Sequence, residues 1–203
     1  MKADEINELV GKALATAPCL FEAVVNCSME VPKIMSDRMP ESWMQAVLMR
    51  EVFKHGLWGF PEVRINHDLG YFESGGKKLA PEFFPSLKNK KIDLFIGDAS
   101  SSLPGHMRLR AIVELKGHNC TWDSIRSDIE RLRALKSKIN GADQTVIFAY
   151  ASEPLTKKEK EDHDSKVAKN TKTSISDFEI FPAGKNSLVE DNGRAYIYLY
   201  VVK

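Results

Sequence analysis

Cysteine is scarce in this chain: there are three in 203 residues, Cys19, Cys27 and Cys120. An odd number at wide spacing makes no disulfide framework, and no C-x-x-C pair is present to build a structural zinc site. Long apolar runs are missing too. One of the longest, VIFAYA from Val146 to Ala151, falls far short of a membrane span. The opening MKADEINELV lacks the apolar stretch of a signal peptide, so a cytoplasmic protein is expected. Charge of one sign is absent as well. Lys and Arg total 29 against 28 Asp and Glu, and a net charge of +1 neither recruits nor repels nucleic acid. No internal repeat, helix-turn-helix or zinc-finger module is evident.

What is present is the composition of an ordinary globular domain, 43% hydrophobic and 28% charged, and residues 1–203 read as one domain. Ile6, Leu9, Val10, Ala13 and Leu14 recur at helical spacing and predict an N-terminal amphipathic helix. LFEAVVNCSMEVPKIMSD reads as a second helix interrupted near Pro32. A third begins around Pro40, which suits a first helical turn, and stops near Gly56. Strands are expected at Glu62–Phe72, Lys91–Gly97 and Arg108–Lys116. A helix follows from about Trp122 to Asn140, with Thr121 or Asp123 as cap and Gly141 at C′. QTVIFAYAS is a buried strand. The polar stretch after it predicts a short exposed helix and a loop. Asn192-Gly193 predicts a hairpin turn before the terminal strand AYIYLYVV. The order is that of an α/β sandwich around a mixed sheet.

Two consecutive strands carry charge inside apolar runs. KIDLFIGD holds Asp93, and RLRAIVELKGHN holds Glu114 and Lys116. Burying such groups is costly unless something pairs with them. Side chains alternate along a strand, so Ile112, Glu114 and Lys116 share one face, and Asp93 sits with Phe95 while Ile92, Leu94 and Ile96 take the other. If the two strands pair as a hairpin, Asp93 and Glu114 converge. In the preceding helix, Met44, Val47, Leu48 and Glu51 recur at intervals of three and four, which turns Glu51 toward the core. Three acids and a lysine from three elements suit a hard divalent cation such as Mg²⁺, whose charge would make burying the acids tolerable.

On Asp93 and the run Glu114-Leu115-Lys116, with helices on either side, the chain resembles the PD-(D/E)XK nuclease superfamily over about Pro40 to Ser152. Between Asp93 and Glu114 lie 20 residues, a usual gap for that family. The resemblance implies a three-layer α/β/α sandwich with a restriction-endonuclease-like core and added N-terminal helices and C-terminal hairpin. It implies a Mg²⁺- or Mn²⁺-dependent nuclease hydrolysing DNA phosphodiester bonds, with an endonuclease as first choice. Asp93, Glu114 and the main-chain carbonyl of Leu115 would ligate the metal. Lys116 would orient or deprotonate the attacking water, with a lowered pKa if desolvated. Glu51 would hold a second metal or a metal-bound water. The alternative is a catalytically inactive protein of this fold that binds nucleic acid or protein.

The chain departs from the family pattern at Ile92, where proline would precede the Asp. It also lacks a Q-x-x-x-Y run on the following helix. Asp128 and Arg131 stand there instead, as structural partners or DNA contacts. With so small a net charge, DNA binding must rest on a local patch, and Lys88, Lys90, Lys91, Arg108 and Arg110 flank the acid-bearing strands. The competing reading of these lysines is a solvated loop. Cutting two strands calls for two sites, so a homodimer is expected. Glu51 has its own competing reading, a surface carboxylate paired with Arg50 or Lys54, and Glu62 and Glu73 compete for its role. His118 and Asn119 follow Lys116 and would either line the cleft or lie exposed. Cys120 beside His118 would be a thiol nucleophile only with an orienting third group, which is not evident. Trp43, Trp58 and Trp122 read as packing residues.

Overall fold

A computed structural model describes residues 1–27, 41–84, 87, 90–117, 119–139, 143–153, 155–183 and 195–203. The elements run α1 (Ala3–Cys27), α2 (Glu41–Lys54), β1 (Trp58–Arg64), β2 (Phe72–Ser74), β3 (Lys77–Lys78), β4 (Lys91–Ala99), β5 (Met107–Lys116), α3 (Trp122–Lys136), β6 (Thr145–Ala151), α4 (Lys157–Thr171), β7 (Phe178–Ala183) and β8 (Ala195–Val201). The sheet has the order β1-β4-β5-β6-β8-β7, with β2 joined to β5 and β3 to β2. It is mixed and mostly antiparallel: β5 runs antiparallel to β4 but parallel to β6 and β2. Helices cover both faces. Ile6 and Leu14 of α1 and Met44 and Leu48 of α2 pack with Leu94 and Val113 on one side. Ile129 and Leu132 of α3 and Val167 of α4 pack with Ile112 and Phe148 on the other. The result is an α/β sandwich, as the pattern of elements predicted. Among the described residues no helix is long and apolar enough to cross a membrane.

β6 is buried at every position, which explains its unbroken apolar sequence. Thr121 caps α3, its hydroxyl accepting from the Ser124 amide at 3.2 Å. The α4 N-terminus is closed by a capping box between Thr156 and Glu159. That helix is more buried than its polar sequence suggests, with His163, Val167 and Thr171 turned inward.

Several expectations need correction. The N-terminal helix does not stop where the first apolar stripe ends. It runs for 25 residues, with Pro18 inside it. The strand expected at Glu62–Phe72 is two strands, β1 and β2, with a turn and a 3-10 segment at Leu69–Tyr71 between them. β7 was not anticipated. It docks against α1, where Gly11 leaves room for Phe181: a Cβ at Gly11 would lie 2.3 Å from that ring. Ile92 packs with Val63 and Ile65 instead of sharing the cluster of Leu94 and Ile96. Pro32, Pro40, Gly141 and the Asn192-Gly193 turn lie outside the described residues.

The β4–β5 ladder shifts register between Ile96 and Gly97, so that Ile96 faces Ala111 but Gly97 faces Leu109. Such a bulge inserts a residue into one strand and re-aims its neighbours. Gly97 permits it, since a Cβ there would lie 2.8 Å from the Arg108 carbonyl oxygen. Leu109 thereby joins Ile112 on the α3 face, and Arg108 and Arg110 both reach Asp98.

Candidate active site

β4 and β5 carry Asp93 and Glu114 to one place. Leu94 pairs with Val113, which sets Asp93 and Glu114 opposite each other one step along the ladder. Asp93 Oδ2 accepts from the Leu115 amide at 2.7 Å, and the Gln45 side chain on α2 donates to the Asp93 carbonyl. Across the ladder on the other side stands Glu62, whose φ of 53° is left-handed, an uncommon conformation for a side chain of this kind.

Glu114 is only 3% exposed. Burial first, and then the neighbouring Asp93 charge, push its carboxyl up to about 8, although Arg131 pulls the other way. Burial also raises Asp93 above the ordinary aspartate value, and the amide hydrogen bond of Leu115 offsets this only in part. Arg131 of α3 contacts Glu114 Oε1 and, through the same Nη2 nitrogen, lies 2.9 Å from Asp128 Oδ1. Among the described residues, the buried Glu114 Oε2 and Arg131 Nε find no hydrogen-bond partner.

Lys116 ends β5 on the same face. Its Nζ is 3.2 Å from Asp128 Oδ2, an ion pair without the alignment of a hydrogen bond, and 3.8 Å from Glu41 Oε1 at the start of α2. Burial works to lower the Lys116 pKa, but Asp128, Glu41, Glu114 and Asp93 together outweigh it and raise it. Lys116 is therefore held as an ammonium, contrary to the lowered pKa expected from desolvation alone. Glu41 also accepts from the Gly117 amide at 3.2 Å.

Glu51 is not brought to this cluster. It accepts from Lys54 and Arg50, both at 2.8 Å, and those bonds lower its pKa. It lies about 15 Å further along the helix than Glu41, ten residues at the α-helical rise. Its helical stripe faces the core, but at the wrong end of α2. The acid that α2 contributes is Glu41, which sequence reasoning missed. The available signal was its place in the first turn just after Pro40, where acids favour the helix dipole. Glu73 is buried but occupied, accepting from Gly76 and Ser100. Asp128 and Arg131 were singled out, but not as the partners of Lys116 and Glu114.

The candidate DNA-binding residues divide. Lys90 and Lys91 are exposed at the start of β4, near Asp93, and Lys91 pairs with Glu62 at 2.6 Å. Arg108 and Arg110 lie at the opposite end of β5, with Arg108 roughly 20 Å from Glu114 at the strand rise. Both bond to Asp98, at 2.8 and 3.0 Å. Burial opposes the Asp98 charge, but these bonds outweigh it and hold the carboxyl below its usual range. Lys88 and His118 lie outside the described residues. Burial pushes the Cys120 thiol up to about 11, so it is no nucleophile at neutral pH. Trp122 packs on Tyr150 and His163, whereas Trp58, expected to pack, is 56% exposed and meets Phe53 edge-on.

Among the described residues, no three His, Cys, Asp or Glu side chains are gathered as a metal-binding group. The donor set nevertheless fits Mg²⁺, which is commonly held by one or two carboxylates and keeps several waters. Asp93 and Glu114 supply two carboxylates, one with an unpartnered buried oxygen. Among the described residues the cluster contains four carboxylates, Glu41, Asp93, Glu114 and Asp128, against two cations, Lys116 and Arg131. Fully ionised, it carries two uncompensated negative charges, the complement of one divalent cation.

Compared with known proteins, the chain matches no family model, no curated sequence and no solved structure.

Proposed function

We propose that the chain is a metal-dependent nuclease of the PD-(D/E)XK type, built on a restriction-endonuclease-like core and hydrolysing DNA phosphodiester bonds, with endonucleolytic cleavage as the leading form. The observation that carries this reading is the buried, charge-unbalanced cluster around Glu114, whose Oε2 has no partner among the described residues. An acid left in that state costs several kcal/mol unless a cation or proton joins it, by the order of magnitude for buried charge.

Asp93, Glu114 and the main-chain carbonyl of Leu115 would hold Mg²⁺ or Mn²⁺. When bound, such an ion supplies the positive charge a phosphodiester needs and activates water. The chain's own residues do the rest. Asp93 is oriented by the Leu115 amide, so its second oxygen is aimed by the backbone. Lys116, fixed as an ammonium by Asp128 and Glu41, donates toward a phosphate oxygen or the attacking water and offsets charge that develops at phosphorus. It is not the base. Lys90 and Lys91, exposed at the start of β4, would meet the DNA backbone, and a homodimer would present one such site to each strand.

A second reading is favoured by the Arg131 contact, which already neutralises one oxygen of Glu114. On that reading the fold binds nucleic acid or protein without cutting. Cleavage assays on linear, circular and single-stranded DNA with Mg²⁺ or Mn²⁺ distinguish the two. Cleavage lost in Asp93→Asn and Glu114→Gln supports the nuclease. DNA binding without cleavage by the unmutated protein supports the second reading.

A further inference from the structure

The bridge between Arg131 and Glu114 differs from a finished structural ion pair. Buried ion pairs persist when their remaining donors and acceptors are filled, because desolvation is otherwise not recovered. Here both partners are left incomplete at the point of contact. Among the described residues Glu114 Oε2 and Arg131 Nε are each buried with nothing to bond, while a single guanidinium nitrogen serves Glu114 and Asp128 together.

The two carboxylates held by that nitrogen differ in setting. Asp128 lies on the same helix as Arg131, one turn earlier, so this half of the bridge moves with α3. Glu114 belongs to β5 and sits beside Asp93, which repels it. The contact with Glu114 joins two elements across the sandwich, and that contact occupies the carboxylate a metal would need.

We propose that Arg131 is an internal counter-ion that competes with the divalent cation for Glu114, and that Asp128 keeps it beside the site when the metal displaces it. This rests on the metal-site reading given above. Without metal, Arg131 holds Glu114 Oε1. With metal bound, the guanidinium remains tethered to Asp128 and its charge becomes available to a phosphate group. Arg131 is thus a positioning residue acting through Glu114.

Competition has a signature that structural support lacks, namely its sign. Removing a supporting arginine would loosen the site and weaken metal binding. Removing a competitor tightens it, because a ligand's apparent affinity rises when the state that excludes it loses stability. The test is calorimetric titration of metal-free protein with MgCl₂ and with MnCl₂, without DNA, at one pH and ionic strength. Arg131→Ala and Arg131→Gln should bind the metal tighter by roughly tenfold, the scale of one lost charge contact in a partly desolvated site. Their metal-free melting temperatures should fall, and metal should recover most of the loss. Arg131→Lys, which keeps the charge, should return affinity toward the wild-type value. If Arg131→Ala does not fold, Arg131→Gln, closer in size, carries the comparison. Wild-type binding with equal or weaker binding in the neutral variants would overturn the competition alone. No metal binding by the wild type would overturn both the competition and the nuclease reading.

Discussion

The carboxylates of Asp93 and Glu114 oppose each other on antiparallel strands, and each raises the cost of ionising the site: Asp93 repulsion is the second cause, after burial, of the raised Glu114 pKa. That relationship sets the first expectation. Glu114 has an ordinary value of 4.5 and is pushed up to about 8 in the fold. Between those values the unfolded chain has released the proton and the folded protein has kept it, so stability falls as pH rises. Metal-free protein should therefore lose on the order of a few kcal/mol across that window, while Glu114→Gln should show a much flatter profile. Chemical denaturation in EDTA from pH 5 to 8.5 measures both.

Metal should act in the opposite direction. Its ligands must be deprotonated, so affinity should increase with pH until Glu114 is ionised, and binding below that point should release a proton. At a metal concentration a hundredfold above Kd the folded state should gain about 2.7 kcal/mol. The Asp93→Asn, Glu114→Gln double variant should show no metal-dependent shift in melting temperature. A shift of wild-type size in that variant places the metal elsewhere.

Lys116→Met should reduce cleavage by roughly 10²–10³-fold, the typical loss on removing one stabilising donor from a reacting site. Because its surroundings raise its pKa, the rate should show no limb from Lys116 deprotonation in the neutral range. A base-catalysis limb near pH 7 that vanishes in Lys116→Met would overturn its assignment as a fixed ammonium.

The two acids of α2 should separate cleanly. Glu51→Gln should leave cleavage unchanged and shift stability within about 0.5 kcal/mol, as expected for pairs with the exposed Arg50 and Lys54. Glu41→Gln should disturb Lys116 and lower cleavage, since its carboxylate faces both Lys116 and the Gly117 amide. Equal activities for the two variants would remove Glu41 from the site.

The cationic residues should separate in the same way. Lys90→Ala with Lys91→Ala should weaken DNA binding and reduce the slope of affinity against salt, as lost phosphate contacts do. Arg110→Ala should instead cost about 1–2 kcal/mol of stability, because it strips a partly buried Asp98 of one partner. Binding to duplex DNA in Ca²⁺, together with urea denaturation, reads out both effects.

The parts of this architecture that were legible in the sequence are those with a repeated pattern. Asp93 and Glu114 stood out because each interrupts an apolar strand, and α3 because a stripe from Ile125 to Leu135 follows a capping threonine. Glu41 was hidden because one acid in a first turn has no period to betray it. Glu51 had the right period on the right helix, but periodicity gives the face and not the distance along the axis. The turn that splits β1 from β2 is closed by the Asp68 carboxylate, which accepts from the Arg64 amide, a local bond inside what reads as one run. The bulge that gathers Arg108 and Arg110 at Asp98 is a property of two strands together, invisible in either alone.

The hydrogen bond from the Leu115 amide to Asp93 Oδ2 makes one backbone proton a sensor. Its chemical shift follows the charge on that carboxylate, and its exchange with solvent deuterium follows the lifetime of the bond. A single labelled leucine resonance would then record protonation, ion arrival and substrate docking in sequence, without a chromophore and without altering any residue of the cluster.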